Sequence, residues 1–256
     1  MDLRLLISER SLALALAYDI YSYYSDEEVP LHIHVVGEVS KLLRLGLAIS
    51  RKGLWEACWR HLMYGEQLPE EIEGLLSSVS VDAWDDLEPF LRELADGLAA
   101  EFSARRKAIE GELAKVFGNV RLPGTIHVIM GFNPGKRSFG ATLFVDKARG
   151  EMLAGLFAGL SSTGATLLDE LLHQILHGVV GLNEGRFRDV EEDEEELLEA
   201  LAPRGYLSVE LGLWPSVEEK EDNVYSYILR EYFNRKLYSK QDLLEYLRGW
   251  GRGPYI

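Results

Sequence analysis

Cysteine is almost missing from this 256-residue chain: Cys58 is the only one. A single thiol excludes an intrachain disulfide and any zinc site built on thiolates, and it fits a reducing cytoplasm. Basic residues are also scarce, with 27 Lys and Arg against 42 Asp and Glu and a formal net charge of −15. Phosphate binding is driven by clustered Lys and Arg, so nucleic acid and anionic membrane are not expected partners. Long apolar runs are lacking too. The stretch from Ser11 to Ala17 is closed by Asp19, too soon to span a bilayer, and no small-residue cleavage site follows it. A soluble, cytoplasmic protein is the expectation.

The hydrophobic fraction is 47% and the charged fraction 27%, enough to build a full core in one large domain or two modest ones. Periodicity divides the chain near residue 118. Residues 1–118 read mostly as helix. Leu3, Leu6, Ile7, Leu14 and Ile20 fit one helical stripe, and further helices are expected over Glu38–Ile49, Leu54–Tyr64, Pro69–Leu76 and Asp82–Phe117. Leu31–Val36, with His32 and His34 alternating, reads as a short strand whose histidines lack a third ligand nearby.

Residues 119–256 are different in character. Thr125–Met130 reads as a buried strand and Phe139–Val145 as a second, joined through Asn133-Pro134-Gly135 by a hairpin or a crossing loop. Met152–Gly159 is small and apolar. Thr166, with Asp169 three residues on, looks like a capping box opening a helix to about Gly178. Helices are also expected over Glu191–Ala202 and from Ser216 to about Tyr238. The fold class expected is α+β, a helical N-terminal region followed by a small sheet with its helices.

The helix Thr166–Gly178 carries the chemistry. His173 and His177 are four residues apart, so their rings stack on one face, one turn apart, and can reach one ion. Leu167, Leu168, Leu171, Leu172, Ile175 and Leu176 make the rest of the helix apolar, so it is buried, and buried histidines need partners. Either a metal supplies that partner or carboxylates such as Asp169 do.

The segment His173-Gln174-Ile175-Leu176-His177 resembles the signature of the zincin metallopeptidases, which is histidine, glutamate, two variable residues, histidine on an apolar helix. The resemblance covers roughly Pro123 to Tyr238. It implies a zinc-dependent peptidase acting on peptide or protein substrates, with His173 and His177 as zinc ligands. In that family the glutamate after the first histidine takes a proton from the attacking water, and here Gln174 stands in its place. Gln can hold a water but cannot accept its proton, and losing a general base costs about 10²–10⁴ in rate. The chain is therefore expected to be an inactive or nearly inactive peptidase scaffold, or else a non-catalytic binder of peptide or protein. Two explanations compete, a natural loss of catalysis and a deliberate Glu→Gln change, and the otherwise intact helix favours the second. The family's edge strand pairs with extended substrate, which assigns that role to Gly140, Ala141 and Thr142.

The third ligand is open. No histidine follows His177, so an acid is required, as in the gluzincin branch. Glu196 lies eighteen residues beyond His177, counted between them, at a spacing common in that branch. Glu194 shares the stripe of Leu197, Leu198 and Leu201, and Glu221 sits among Val217, Val224, Ile228 and Tyr232. A carboxylate within an apolar stripe is costly unless paired or metal-bound. Glu221 and Glu194 rank above Glu196, with Glu184 below them. Each is equally readable as a solvated acid at a helix start. Tyr225, Tyr227 and Tyr232 are candidate hydroxyl donors to an oxyanion, Tyr225 foremost.

Overall fold

A computed structural model describes residues 1–22, 32, 38–82, 84–135, 137–188, 193–218 and 223–250. The N-terminal segment starts as a strand, β1 (Asp2–Leu6), and not as part of a helix. Helices α1 (Glu9–Ser22), α2 (Val39–Arg51), α3 (Trp55–Tyr64), α4 (Glu70–Ser77) and the long α5 (Trp84–Phe117) follow. Then come β2 (Thr125–Phe132), β3 (Phe139–Asp146), β4 (Glu151–Ala158) and α6 (Gly164–Leu182). The chain continues through α7 (Glu184–Phe187), α8 (Glu194–Leu201), α9 (Tyr206–Glu210), α10 (Val224–Asn234) and α11 (Leu243–Trp250). The α+β class is as expected. No helix among the described residues is long and apolar enough to cross a membrane.

The four strands form one mixed sheet in the order β1-β2-β4-β3. β1, β2 and β4 run parallel, and β3 lies antiparallel to β4 at the edge. The Asn133-Pro134-Gly135 turn therefore opens a crossing connection, since β4 separates β2 from β3. β1 pairs Leu3 with Ile126 and Leu5 with Val128, so the sheet joins the two regions that periodicity divides at residue 118.

Strand alternation sends side chains to two separate cores. Ile126, Val128, Met130, Met152, Ala154 and Leu156 face α5, α6 and the C-terminal helices. Ile129, Leu153 and Phe157 face α1 to α4. Burial on both sides explains why β2 and β4 read as near-continuous apolar runs. At about 25 cal/mol per Å², each fully buried Leu or Ile contributes roughly 1.5–3 kcal/mol.

Some helix ends differ from expectation. α6 is capped by Thr163, whose Oγ1 accepts from Thr166 N at 3.3 Å while Thr166 Oγ1 accepts from Thr163 N at 2.8 Å. Thr166 thus closes the box and does not open it, and Asp169 is left for another task. The last long helix opens at Asn223, whose Oδ1 accepts from Ser226 N at 3.1 Å, and not at Ser216. The expected strand at Leu31–Val36 lies outside the described residues except for His32. That residue is ion-paired to Asp19, with its ring against Phe139.

Gly178 and Gly181 let α6 lie close on the sheet. A Cβ on Gly178 would fall 2.5 Å from Met152 Sδ, and one on Gly181 3.2 Å from Val145 Cγ2. This close approach fixes the rotation of α6, turning Gln174 toward the edge strand and the two histidines toward α8.

Candidate metal centre

His173 and His177 project from the middle of α6, where the helix is buried almost all round. His173 is 7% exposed, and its Nδ1 donates to the carbonyl of Ala202 at 2.7 Å. A carbonyl only accepts, so this bond fixes the proton on Nδ1 and leaves Nε2 of the neutral ring with its lone pair. His177 Nδ1 donates to Glu194 Oε1 at 3.1 Å. Both rings thus have one nitrogen engaged and the other turned inward.

The inward nitrogens meet a carboxylate. His173 Nε2 and His177 Nε2 lie 3.1 Å apart. Glu195, in the first turn of α8, places Oε1 3.4 Å from His173 Nε2 and Oε2 3.1 Å from His177 Nε2. Two donors bound at about 2.05 Å to one tetrahedral ion sit about 3.3 Å apart, so these separations are compatible with three groups sharing one ion. Among the described residues, His173, His177 and Glu195 form the one group of three whose ligand atoms lie together, all within 4.8 Å. The donors are two imidazoles and one carboxylate, a set that suits zinc and leaves a fourth position.

Electrostatics agree with this geometry. Burial opposes charge on His177, but the carboxylates of Glu194 and Glu195 outweigh it and push the ring up to about 9. The two imidazoles, His173 first and then His177, hold Glu195 well below the usual carboxylate range.

The expected third ligands fall elsewhere. Glu194 is beside the centre, but as the partner of His177 Nδ1. Glu196 is exposed on α8, and its backbone carbonyl accepts from Asn223 Nδ2 at 2.7 Å. Glu221 lies outside the described residues. Glu184 pairs with Lys147 at 2.6 Å. Helical phase favours acids within the apolar stripe and so points away from Glu195. A ligand from a neighbouring helix sits at the stripe's edge, and the consecutive Glu194-Glu195-Glu196 was the signal that one acid of the run would reach inward.

Gln174 is 3% exposed and turned to the edge strand, where its Oε1 accepts from Thr142 Oγ1 at 2.9 Å. Gly140 packs against the same amide: a Cβ there would fall 3.0 Å from Gln174 Nε2 and 2.9 Å from Leu156 Cδ2. Ala141 alternates to the opposite face. Thr142, His177, Val180, Gly181, Glu184, Phe187 and Glu194 line a cavity of about 320 Å³ beside the histidines.

No tyrosine lines this cavity. Tyr225 OH donates to Asp193 Oδ2 at 3.3 Å, and burial followed by the Asp193 charge pushes its hydroxyl up to about 12. Tyr232 is fully buried and donates to the Gln241 carbonyl at 3.0 Å, while Tyr227 is exposed. The chain matches no protein-family model, no curated protein and no solved structure.

Proposed function

We propose that this chain binds zinc through His173, His177 and Glu195, and that it is a zincin-like metallopeptidase scaffold whose water-activating carboxylate is replaced by Gln174. One observation carries the reading: two imidazole Nε2 atoms and one carboxylate converge at 3.1–3.4 Å with both Nδ1 atoms already engaged. Ligating histidines characteristically donate their second nitrogen to a carbonyl or carboxylate, which orients the ring and raises its basicity. The antiparallel edge strand β3 beside α6, and a cavity reaching from Thr142 to His177, support a peptide as the ligand.

When bound, zinc supplies Lewis acidity and lowers the pKa of water. The chain's own residues then hold and orient. Ala202 and Glu194 fix the two rings, and Thr142 and its strand flank the cavity. Gln174 donates and accepts hydrogen bonds but takes no proton, so hydrolysis is slow or absent in this sequence.

A second reading, a non-catalytic peptide- or protein-binding protein, is favoured by one observation. Gln174 is tied to Thr142 as a strut between helix and strand, a role an amide fills as well as an acid.

Two measurements decide. Elemental analysis of protein prepared without chelator or His-tag should give near one zinc per chain, and none after zinc is added back would sink the metal reading. The zinc-loaded Gln174→Glu variant should then hydrolyse a mixed peptide library about 10²–10⁴ times faster than the parent. A zinc-loaded variant that cuts nothing would discard the peptidase and leave the binding protein.

A further inference from the structure

We infer that Asp169 is a positioning residue for the metal centre, acting on His173 through the loop that follows α8. The inference rests on the metal reading above. Asp169 lies one turn before His173 on α6 and is 2% exposed. No hydrogen bond joins it to either histidine. Its Oδ2 instead accepts from the backbone N–H of Arg204 at 2.9 Å. Two residues earlier in that loop, the carbonyl of Ala202 accepts from His173 Nδ1 at 2.7 Å. One helix therefore grips one loop at two points, and the second grip decides which nitrogen of His173 carries its proton.

The loop needs such a restraint. Arg204 has φ near +60°, a left-handed conformation that a residue with a Cβ adopts only when its surroundings hold it there. The surroundings do so on several sides. Its N–H is held by Asp169, its carbonyl accepts from Glu218 N at 2.9 Å, its guanidinium pairs with Glu218 at 2.9 Å and its head lies 5.1 Å from the Trp214 ring. The Asp169 bond is the one made by a buried side chain. A buried carboxylate is costly, since burial pushes this carboxyl above its usual range. The Ser208 hydroxyl and the Arg204 N–H offset part of that cost. A bare structural cap would be cheaper with an amide or hydroxyl. The carboxylate makes the stronger, charge-assisted bond to the N–H that fixes the Ala202 carbonyl beside His173.

The consequence is a fixed tautomer. With the Ala202 carbonyl in place, His173 keeps its proton on Nδ1 and presents Nε2 to Glu195 and His177. With the loop released, the ring can turn or move its proton to Nε2, where it blocks the metal.

The test reads the tautomer and the metal separately. In metal-free wild-type protein, nitrogen-15 NMR of the histidine side chains should show a protected His173 Nδ1–H. Asp169→Ala should lose that protection and lower zinc affinity about 10–100-fold, the range for removal of an outer-shell partner. Asp169→Asn keeps an acceptor for Arg204 N–H and should restore the Nδ1–H signal. A folded Asp169→Ala protein that keeps the protected Nδ1–H and wild-type zinc affinity would overturn the inference. If Asp169→Ala does not fold, hydrogen exchange in the wild type decides. The Arg204 amide and His173 Nδ1–H should then open together, and fast Arg204 exchange under a protected Nδ1–H would overturn it. A wild-type protein that binds no zinc while showing this coupling would defeat the metal reading and leave the clamp standing.

Discussion

Two histidine–carboxylate clusters lie on opposite faces of the same sheet, and they differ in what their nitrogens point at. On the face toward α1 to α4, His127 is 1% exposed and its Nε2 lies 3.0 Å from Glu151 Oε2. Tyr64 packs edge-on against that ring and donates to Asp146 Oδ2 at 3.2 Å. Arg60 pairs with Asp146 at 3.3 Å, and Arg149 stacks on Tyr64 at 3.8 Å. One ring nitrogen of His127 is paired to Glu151, while its Nδ1 is buried with no hydrogen-bond partner among the described residues. On the other face, His173 and His177 hold their Nδ1 atoms to Ala202 and Glu194 and turn both Nε2 atoms toward Glu195, beside an open cavity. A buried histidine–glutamate contact is an ordinary way to satisfy a core. Two imidazoles converging on one carboxylate make a candidate metal centre.

The largest expected effect comes from deleting one histidine on each face. His173→Ala should abolish stoichiometric zinc while the protein stays folded. His127→Ala should leave zinc at one per chain and destabilise the fold by about 2–3 kcal/mol, the cost of a small cavity and an unpaired Glu151. Elemental analysis and urea unfolding of the two variants check both halves. Loss of zinc in a folded His127→Ala protein would erase the distinction between the faces.

Much of the centre was legible in the sequence, for a physical reason. Helical spacing places His173 and His177 on one face whatever the tertiary context, and the apolar residues around them require burial. Strands β2 and β3 were also readable from their composition. What packing decides was not readable. Asp2–Leu6 shows a pattern that helix and strand share, and only pairing with Thr125–Ile129 makes it β1. The role of Asp169 was hidden because Thr163, not Thr166, caps α6. The choice among Glu194, Glu195 and Glu196 depends on where α8 lands against α6, a long-range contact with no local periodicity.

That choice gives the next contrast. Glu195→Gln removes the one carboxylate among the described residues that reaches both Nε2 atoms and should weaken zinc binding most of the three neighbours. Glu194→Gln removes a partner of His177 Nδ1 and should cost about 10–100-fold. Glu196→Gln, on an exposed side chain, should change nothing. Competition titrations with a chelating indicator give the order. If Glu196→Gln proves the most harmful, α8 is rotated from the register described.

Proton competition should follow the same site. The metal must displace the proton that Glu194 and Glu195 hold on His177, so zinc affinity should rise with pH, by about tenfold per unit between 7 and 9. A flat profile in that window would mean that His177 is already neutral there and outside the carboxylates' influence.

The smallest effect contrasts an acid from each face. Asp146 is buried, and burial opposes its charge, yet the Arg149 backbone, Tyr64 and Arg60 hold it below its usual range. Its contribution to stability is present above its unfolded pKa and is lost as pH falls through the lower, folded value. Glu170, one turn before Gln174 on α6, shows the opposite. It has no hydrogen bond or ion pair among the described residues, and burial, followed by the neighbouring Asp169 charge, pushes it up to about 7. Its folded pKa is raised, so its favourable contribution is complete below the ordinary glutamate pKa and is lost as pH rises through 7. Glu170→Gln removes a charge that is costly only once the carboxyl ionises. The variant should melt about 2–4 °C higher than wild type at pH 8, corresponding to about 1 kcal/mol, and at the same temperature at pH 4. Asp146→Asn should lose stability at pH 8 and little at pH 3. Thermal scans of both at the two ends of the range check the pair. A Glu170→Gln gain that is equal at pH 8 and pH 4 would place its origin in packing and not in the ionisation of a buried carboxyl.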